Sequence, residues 1–125
     1  MKSHGLVQAE FRSISWLEPY PIEQYKPDPF EPFSIELTVL IGPKGLQGEE
    51  IFYVDVSNVL FLEQELRHSG PHAISSTILV DEFSVEAIER ILREFCETCR
   101  GRTWHDVALM LTRLGRWEYE GMETP

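Results

Sequence analysis

Phe33-Ser34-Ile35-Glu36-Leu37-Thr38-Val39-Leu40-Ile41, followed after residues 42–49 by Glu50-Ile51-Phe52-Tyr53-Val54-Asp55-Val56, decides the fold class. Successive side chains of a strand point to opposite faces, so Phe33, Ile35, Leu37, Val39 and Ile41 share one face. Ser34, Glu36 and Thr38 take the other, and Phe52, Val54 and Val56 repeat the alternation in the second run. Between the runs lie Gly42, Pro43, Gly45 and Gly48, residues that favour a turn. The pair therefore reads as a β-hairpin with a long loop and one buried face, which something must cover.

Working outward, residues 6–17 are strand-like with a change of phase. Val7, Ala9 and Phe11 lie on one face; Ile14 and Trp16 continue it only if one extra residue is inserted near Arg12 and Ser13, as a β-bulge does. Residues 18–32 contain Pro19, Pro21, Pro27, Pro29 and Pro32, too many for a helix interior or central strand. Tyr20, Tyr25 and Phe30 are interspersed there, so the segment is expected to pack onto the domain. Downstream, Ser57 or Asn58 can cap a short helix over 59–67 with Val59, Leu62 and Leu66 in one stripe. Ile74, Ile78 and Val80 mark a strand candidate within 72–80. Ser84 caps a helix carrying Val85, Ile88, Leu92, Phe95 and Cys99 on one face up to Gly101, and Thr103 caps another carrying Trp104, Val107, Ala108 and Leu111. Trp117 and Tyr119 alternate with acids as a last short strand. The expectation is an α+β fold, an antiparallel β-sheet packed on one face by two C-terminal α-helices, plus a short middle helix. One domain spans 1–125, with residues 1–5 and 121–125 expected to be flexible ends.

Charge is the unusual feature of the composition. Twenty-one acids against eleven bases leave a net charge of −10 and a pI near 4.8. Both halves share the excess, with nine acids and four bases in residues 1–62 and twelve and seven in 63–125. The acidity therefore belongs to the folded body. It disfavours binding to nucleic-acid phosphates or anionic lipid and favours a basic protein partner, although solubility alone is the simpler explanation. The start lacks an apolar leader core, no run approaches a membrane span, and two cysteines in one segment make no disulfide framework. A cytoplasmic protein is expected.

Individual motifs carry little chemistry. The glycine loop lacks phosphate-loop spacing and is followed by a strand, so a hairpin loop using glycines for positive φ is the stronger reading. Cys96 and Cys99 have the CxxC spacing, but a structural zinc site needs four ligands, and here both cysteines fall on or near the apolar stripe of a helix. His68, His72 and His105 have no interpretable nucleophile or carboxylate partner. The reading is no enzyme, no cofactor and no metal. Trp104 is expected in the core; Trp16 and Trp117, near strand ends beside Glu18 and Glu118, suit packing or a binding surface.

Two stretches carry a resemblance. Ile41-Gly42-Pro43-Lys44-Gly45 with Gly48-Glu49-Glu50 and the strand Phe52-Tyr53-Val54 is the first. Thr103 and Trp104 through Arg113-Leu114-Gly115-Arg116-Trp117-Glu118-Tyr119 is the second. Together they resemble the immunity protein 8 family, encoded next to toxins in bacterial polymorphic-toxin and contact-dependent inhibition systems, over roughly residues 8–120 in length and element order. The resemblance implies an immunity protein that binds and neutralises a cognate toxin domain in the producing cell, and the acidity suits a basic toxin such as a nuclease. It does not fix the contact residues. The candidates are the acidic, aromatic segment Glu18, Tyr20, Glu23, Tyr25, Asp28 and Glu31, then Glu118, Glu120 and Glu123. The alternatives are a general acidic interaction module or adaptor with no toxin partner, and a small hydrolase built on convergent carboxylates or histidines. Sequence leaves the oligomeric state open.

Overall fold

The computed structural model describes residues 5–119. Most of the expected flexible ends, and the candidates Glu120 and Glu123, therefore lie outside the described residues. The chain is α+β, with elements β1 (Val7–Ser15), β2 (Ser34–Pro43), β3 (Glu50–Ser57), α1 (Val59–Ser69), β4 (Thr77–Leu79), α2 (Val85–Glu97), β5 (Arg100–Gly101), α3 (Trp104–Leu111) and β6 (Arg116–Trp117). They form a six-stranded sheet in the order β4-β3-β2-β1-β5, with β6 also on β3.

The quoted alternation builds the centre. Leu37, Val39 and Ile41 of β2 and Phe52, Val54 and Val56 of β3 are fully buried on one face. The two strands run antiparallel with Val39 opposite Phe52. Each such side chain removed from water contributes roughly 1.5–3 kcal/mol. β1 joins the other edge of β2, and its register slips between Phe11 and Ser13. Arg12 is thus the extra residue of the expected bulge, and Ile14 returns to the core face opposite Val39. The core face is covered by α2, through Ile88, Leu92 and Cys96, and by α3, through Val107, Ala108 and Leu111. Both helices begin at the expected caps: Ser84 Oγ accepts from the Ala87 N–H and Thr103 Oγ1 from the Asp106 N–H.

Four features depart from the sequence pattern. β4 pairs parallel to β3, so the sheet is mixed; the crossover through α1 makes this possible. Only Thr77–Leu79 of the region 72–80 forms a strand. α2 stops at Glu97, and Gly101 lies in β5, paired with Val7 of β1. The apolar stripe of α1 does not reach the core: Val59 and Leu66 are about half exposed, at 50% and 52%.

α1 is instead held at its first turn by Asn58, which is buried. The Asn58 carboxamide oxygen accepts from the Phe33 and Phe61 N–H groups, and its amide donates to the Glu31 carbonyl. One side chain thereby joins the end of the proline-rich segment, the start of β2 and the cap of α1.

Candidate functional site

The proline-rich segment is fastened along its length. The Trp16 indole donates to the Tyr20 carbonyl at 2.8 Å, and its ring meets Tyr20 and Tyr25 edge-on at 5.2 and 5.0 Å. Tyr25 continues the cluster to Phe33 and Phe83, at 6.4 and 5.0 Å. Ile22, in a short 3-10 turn, is buried. Asp28 closes a local turn by accepting from the Phe30 N–H. Glu18, Glu23 and Glu31 are left exposed on a stiff frame, Tyr20 is partly exposed and Tyr25 is half-buried. Desolvation, then the neighbouring Tyr20, raises the Tyr25 phenol above its ordinary value.

Concavities border this segment, two of them against α2 and β2. A groove of about 650 Å³ separates it from the start of α2; Glu23, Tyr25 and Lys26 face Glu82, Phe83, Glu86 and Glu89 across it. The α2 carboxylates escaped the sequence reading, because a helical pattern marks them only as solvent-facing. A second hollow, of about 470 Å³, lies between Trp16, Glu18, Tyr20 and Tyr25 and the β2 residues Ser34 and Glu36.

Glu36 connects that hollow to the face of the sheet opposite the helices. It pairs with Arg116, whose guanidinium also reaches Asp55 at 3.2 Å. Arg116 sits beside Tyr53 in register, and the Tyr53 hydroxyl donates to Glu118 at 3.4 Å. Desolvation, then the charge of Glu118 and this hydrogen bond, and finally Glu36, raise the Tyr53 phenol. Glu118 is thus held through Tyr53, which lies beside the Arg116–Glu36 pair, and Glu36 shares the second hollow with Glu18. None of Glu36, Tyr53, Asp55 and Arg116 was legible as a site, since strand periodicity marks the first three only as facing water.

The two resemblance motifs meet at Glu50. Trp104 donates its indole N–H to one carboxylate oxygen, and Trp117 donates to the other at 2.7 Å. Trp117 also stacks on Phe52 and has His105 against it. The glycines admit close approaches: a Cβ on Gly42 would collide with the Gly48 carbonyl, and one on Gly115 would lie 2.8 Å from Val54 Cγ2. Gly45 and Gly48 take positive φ in the hairpin loop, as the sequence reading expects. Arg12, set free by the bulge, donates to the Pro43 and Leu46 carbonyls and locks that loop. These motif residues therefore shape the fold.

Cys96 and Cys99 are free and buried. Burial, with smaller contributions from Cys99 and Glu97, pushes the Cys96 thiol up to about 12 from 9.0. A thiol whose folded pKa is raised holds its proton longer in the native state, so its contribution is complete below pH 9 and is lost as pH rises towards 12. Cys99, Tyr25 and Tyr53 shift in the same direction. The urea midpoint is expected to stay flat between pH 7 and 8 and to fall above pH 9; a flat profile to pH 10.5 would contradict this assignment. His68 and His72 have Nδ1 near the Gln64 and Gly70 carbonyls. Among the described residues, no group of three or more His, Cys, Asp or Glu converges as a metal site. No helix among them is long and apolar enough to cross a membrane.

Fold and surface define a small α+β domain with one open sheet face and an acidic, aromatic margin. Residues 9–122 match the family model described as Immunity protein 8, and the chain belongs to that family of immunity proteins. No curated protein and no solved structure matches the chain.

Proposed function

We propose that this protein binds a cognate toxin domain in the cytoplasm of the producing cell and blocks its activity. Membership of the immunity protein 8 family carries this reading. The net charge of −10 supports a basic partner, for which a nuclease is the leading candidate, and disfavours direct contact with nucleic acid or membrane. The candidate contact residues Glu18, Tyr20, Glu23, Tyr25 and Glu31 stand on a preformed frame, so binding need not pay to order them. Asp28, exposed beside them, also holds its own turn. The decisive experiment is co-expression with the toxin domain encoded by the neighbouring gene. Loss of toxicity and copurification of a complex are expected; persistent toxicity with no complex would exclude the reading.

The acidic groove makes a kinetic prediction. Charged margins act mainly on association, so Glu23→Lys with Glu86→Lys should slow toxin binding about tenfold at low salt, with little change in dissociation. An unchanged on-rate would remove the groove from the encounter surface.

A further inference from the structure

We infer that the partner docks on the uncovered face of the sheet, centred on Tyr53 and Arg116, and that it presents a basic protein surface there. This rests on the proposed toxin binding and names the surface that performs it.

Among the described residues, no helix covers this face. The buried side chains of α2 and α3 join the core on the other side of the sheet, and no residue of α1 is fully buried. Thr38, Leu40, Ile51 and Tyr53 form two adjacent cross-strand rows, Thr38 opposite Tyr53 and Leu40 opposite Ile51. All four are partly exposed, neither buried in the core nor fully open to solvent. An antiparallel sheet tolerates such a face in water, but polar side chains usually fill it.

Charge identifies the occupant. Glu36, Asp55 and Glu118 surround this apolar strip, and Arg116 is the cation paired among them. The strip is thus an apolar centre with an acidic rim on a protein of net charge −10, complementary to a basic surface with an apolar or aromatic middle.

The two central side chains are held in place before any partner arrives. Arg116 and its two carboxylate partners are all partly solvent-exposed, from 35% to 47%. Ion pairs this open contribute little to folding. What they do provide is a guanidinium fixed between Glu36 and Asp55, beside a tyrosine tethered to Glu118. Tyrosine and arginine are enriched among residues that dominate binding energy, and a fixed side chain loses less entropy on contact. The footprint extends through Glu36 into the hollow under Trp16 and Tyr20, whose neighbour Leu17 is 93% exposed. A second apolar region, Val59, Leu66, Ile74 and Leu79, is exposed on α1 and around β4.

The test uses the full chain and a catalytically dead form of the toxin domain encoded by the neighbouring gene. Tyr53→Ala and Arg116→Ala should each weaken the complex at least about 30-fold, mainly through faster dissociation. Glu36→Lys should slow association about tenfold at low salt. Leu66→Glu should leave binding unchanged. Thermal unfolding near that of the parent confirms that each variant is folded, and Tyr53→Phe, which keeps the ring, should retain most of the affinity. Full affinity in folded Tyr53→Ala and Arg116→Ala would overturn the inference while leaving the toxin reading intact. Failure of the parent chain to bind or protect would remove the toxin reading, and this inference with it. A dimer of the parent chain that Tyr53→Ala dissociates would assign the face to a second copy and also overturn it.

Discussion

Asn58→Ala is expected to lower stability by about 3 kcal/mol, a large share of the margin of a small domain. The substitution deletes the side chain that caps α1, worth about 1 kcal/mol. It also strands the Phe33 N–H and the Glu31 carbonyl, which Asn58 now satisfies at 3.1 and 2.8 Å. Asn58 is only 3% exposed, so water cannot easily replace it, and an unsatisfied buried group costs about 1–3 kcal/mol. The melting temperature should fall by roughly 10–15 °C. Because α1 is held mainly at this end, its amides should also lose hydrogen-exchange protection before those of β2 and β3 do. A loss below about 1 kcal/mol would show that solvent reaches the site and that the cap is dispensable.

Glu50→Ala is the second large effect. Its carboxylate accepts from two indoles, Trp104 and Trp117, and among the described residues no cation pairs with it. Hydrogen bonds to a charged acceptor are worth more than neutral ones, so losing both should cost roughly 2–4 kcal/mol, discounted because both rings are only partly buried. Glu50→Gln keeps one acceptor oxygen and should lose about half as much. Tryptophan emission should shift to longer wavelength in Glu50→Ala as the rings gain access to water. Emission and urea midpoint both unchanged would show that the rings pack without the carboxylate.

What the sequence disclosed was local. Alternation placed β2 and β3, the phase change at Arg12 and Ser13 announced the bulge, and Ser84, Thr103 and Asn58 marked helix starts, because each signal lies within a few residues. The failures were long-range. Nothing near Thr77 specifies that it will lie parallel to Asp55, and nothing within α1 says that Val59 and Leu66 will miss the core. The same limit applied to the surface. The acidic, aromatic segment was recognisable by composition, but its assembly with Glu82, Glu86 and Glu89, or with Glu36 and Arg116, depends on partners from other elements. Asp28 holds a turn through its side chain and is itself exposed.

The double occupancy of one edge of β3 has a further consequence. Trp117 and Arg116 pair with Phe52 and Tyr53, and Thr77 to Leu79 then pair with Asp55 to Ser57. The intervening Ile-Phe-Tyr-Val run has high β-propensity and little charge, the composition that nucleates cross-β aggregation when its backbone is free. Two short strands running in opposite directions cover Phe52–Tyr53 and Asp55–Ser57 on that edge, and β2 covers the other side. The stretch of this chain most prone to recruit another molecule as a strand is therefore flanked on both sides, so the open sheet face comes without a long free edge along β3.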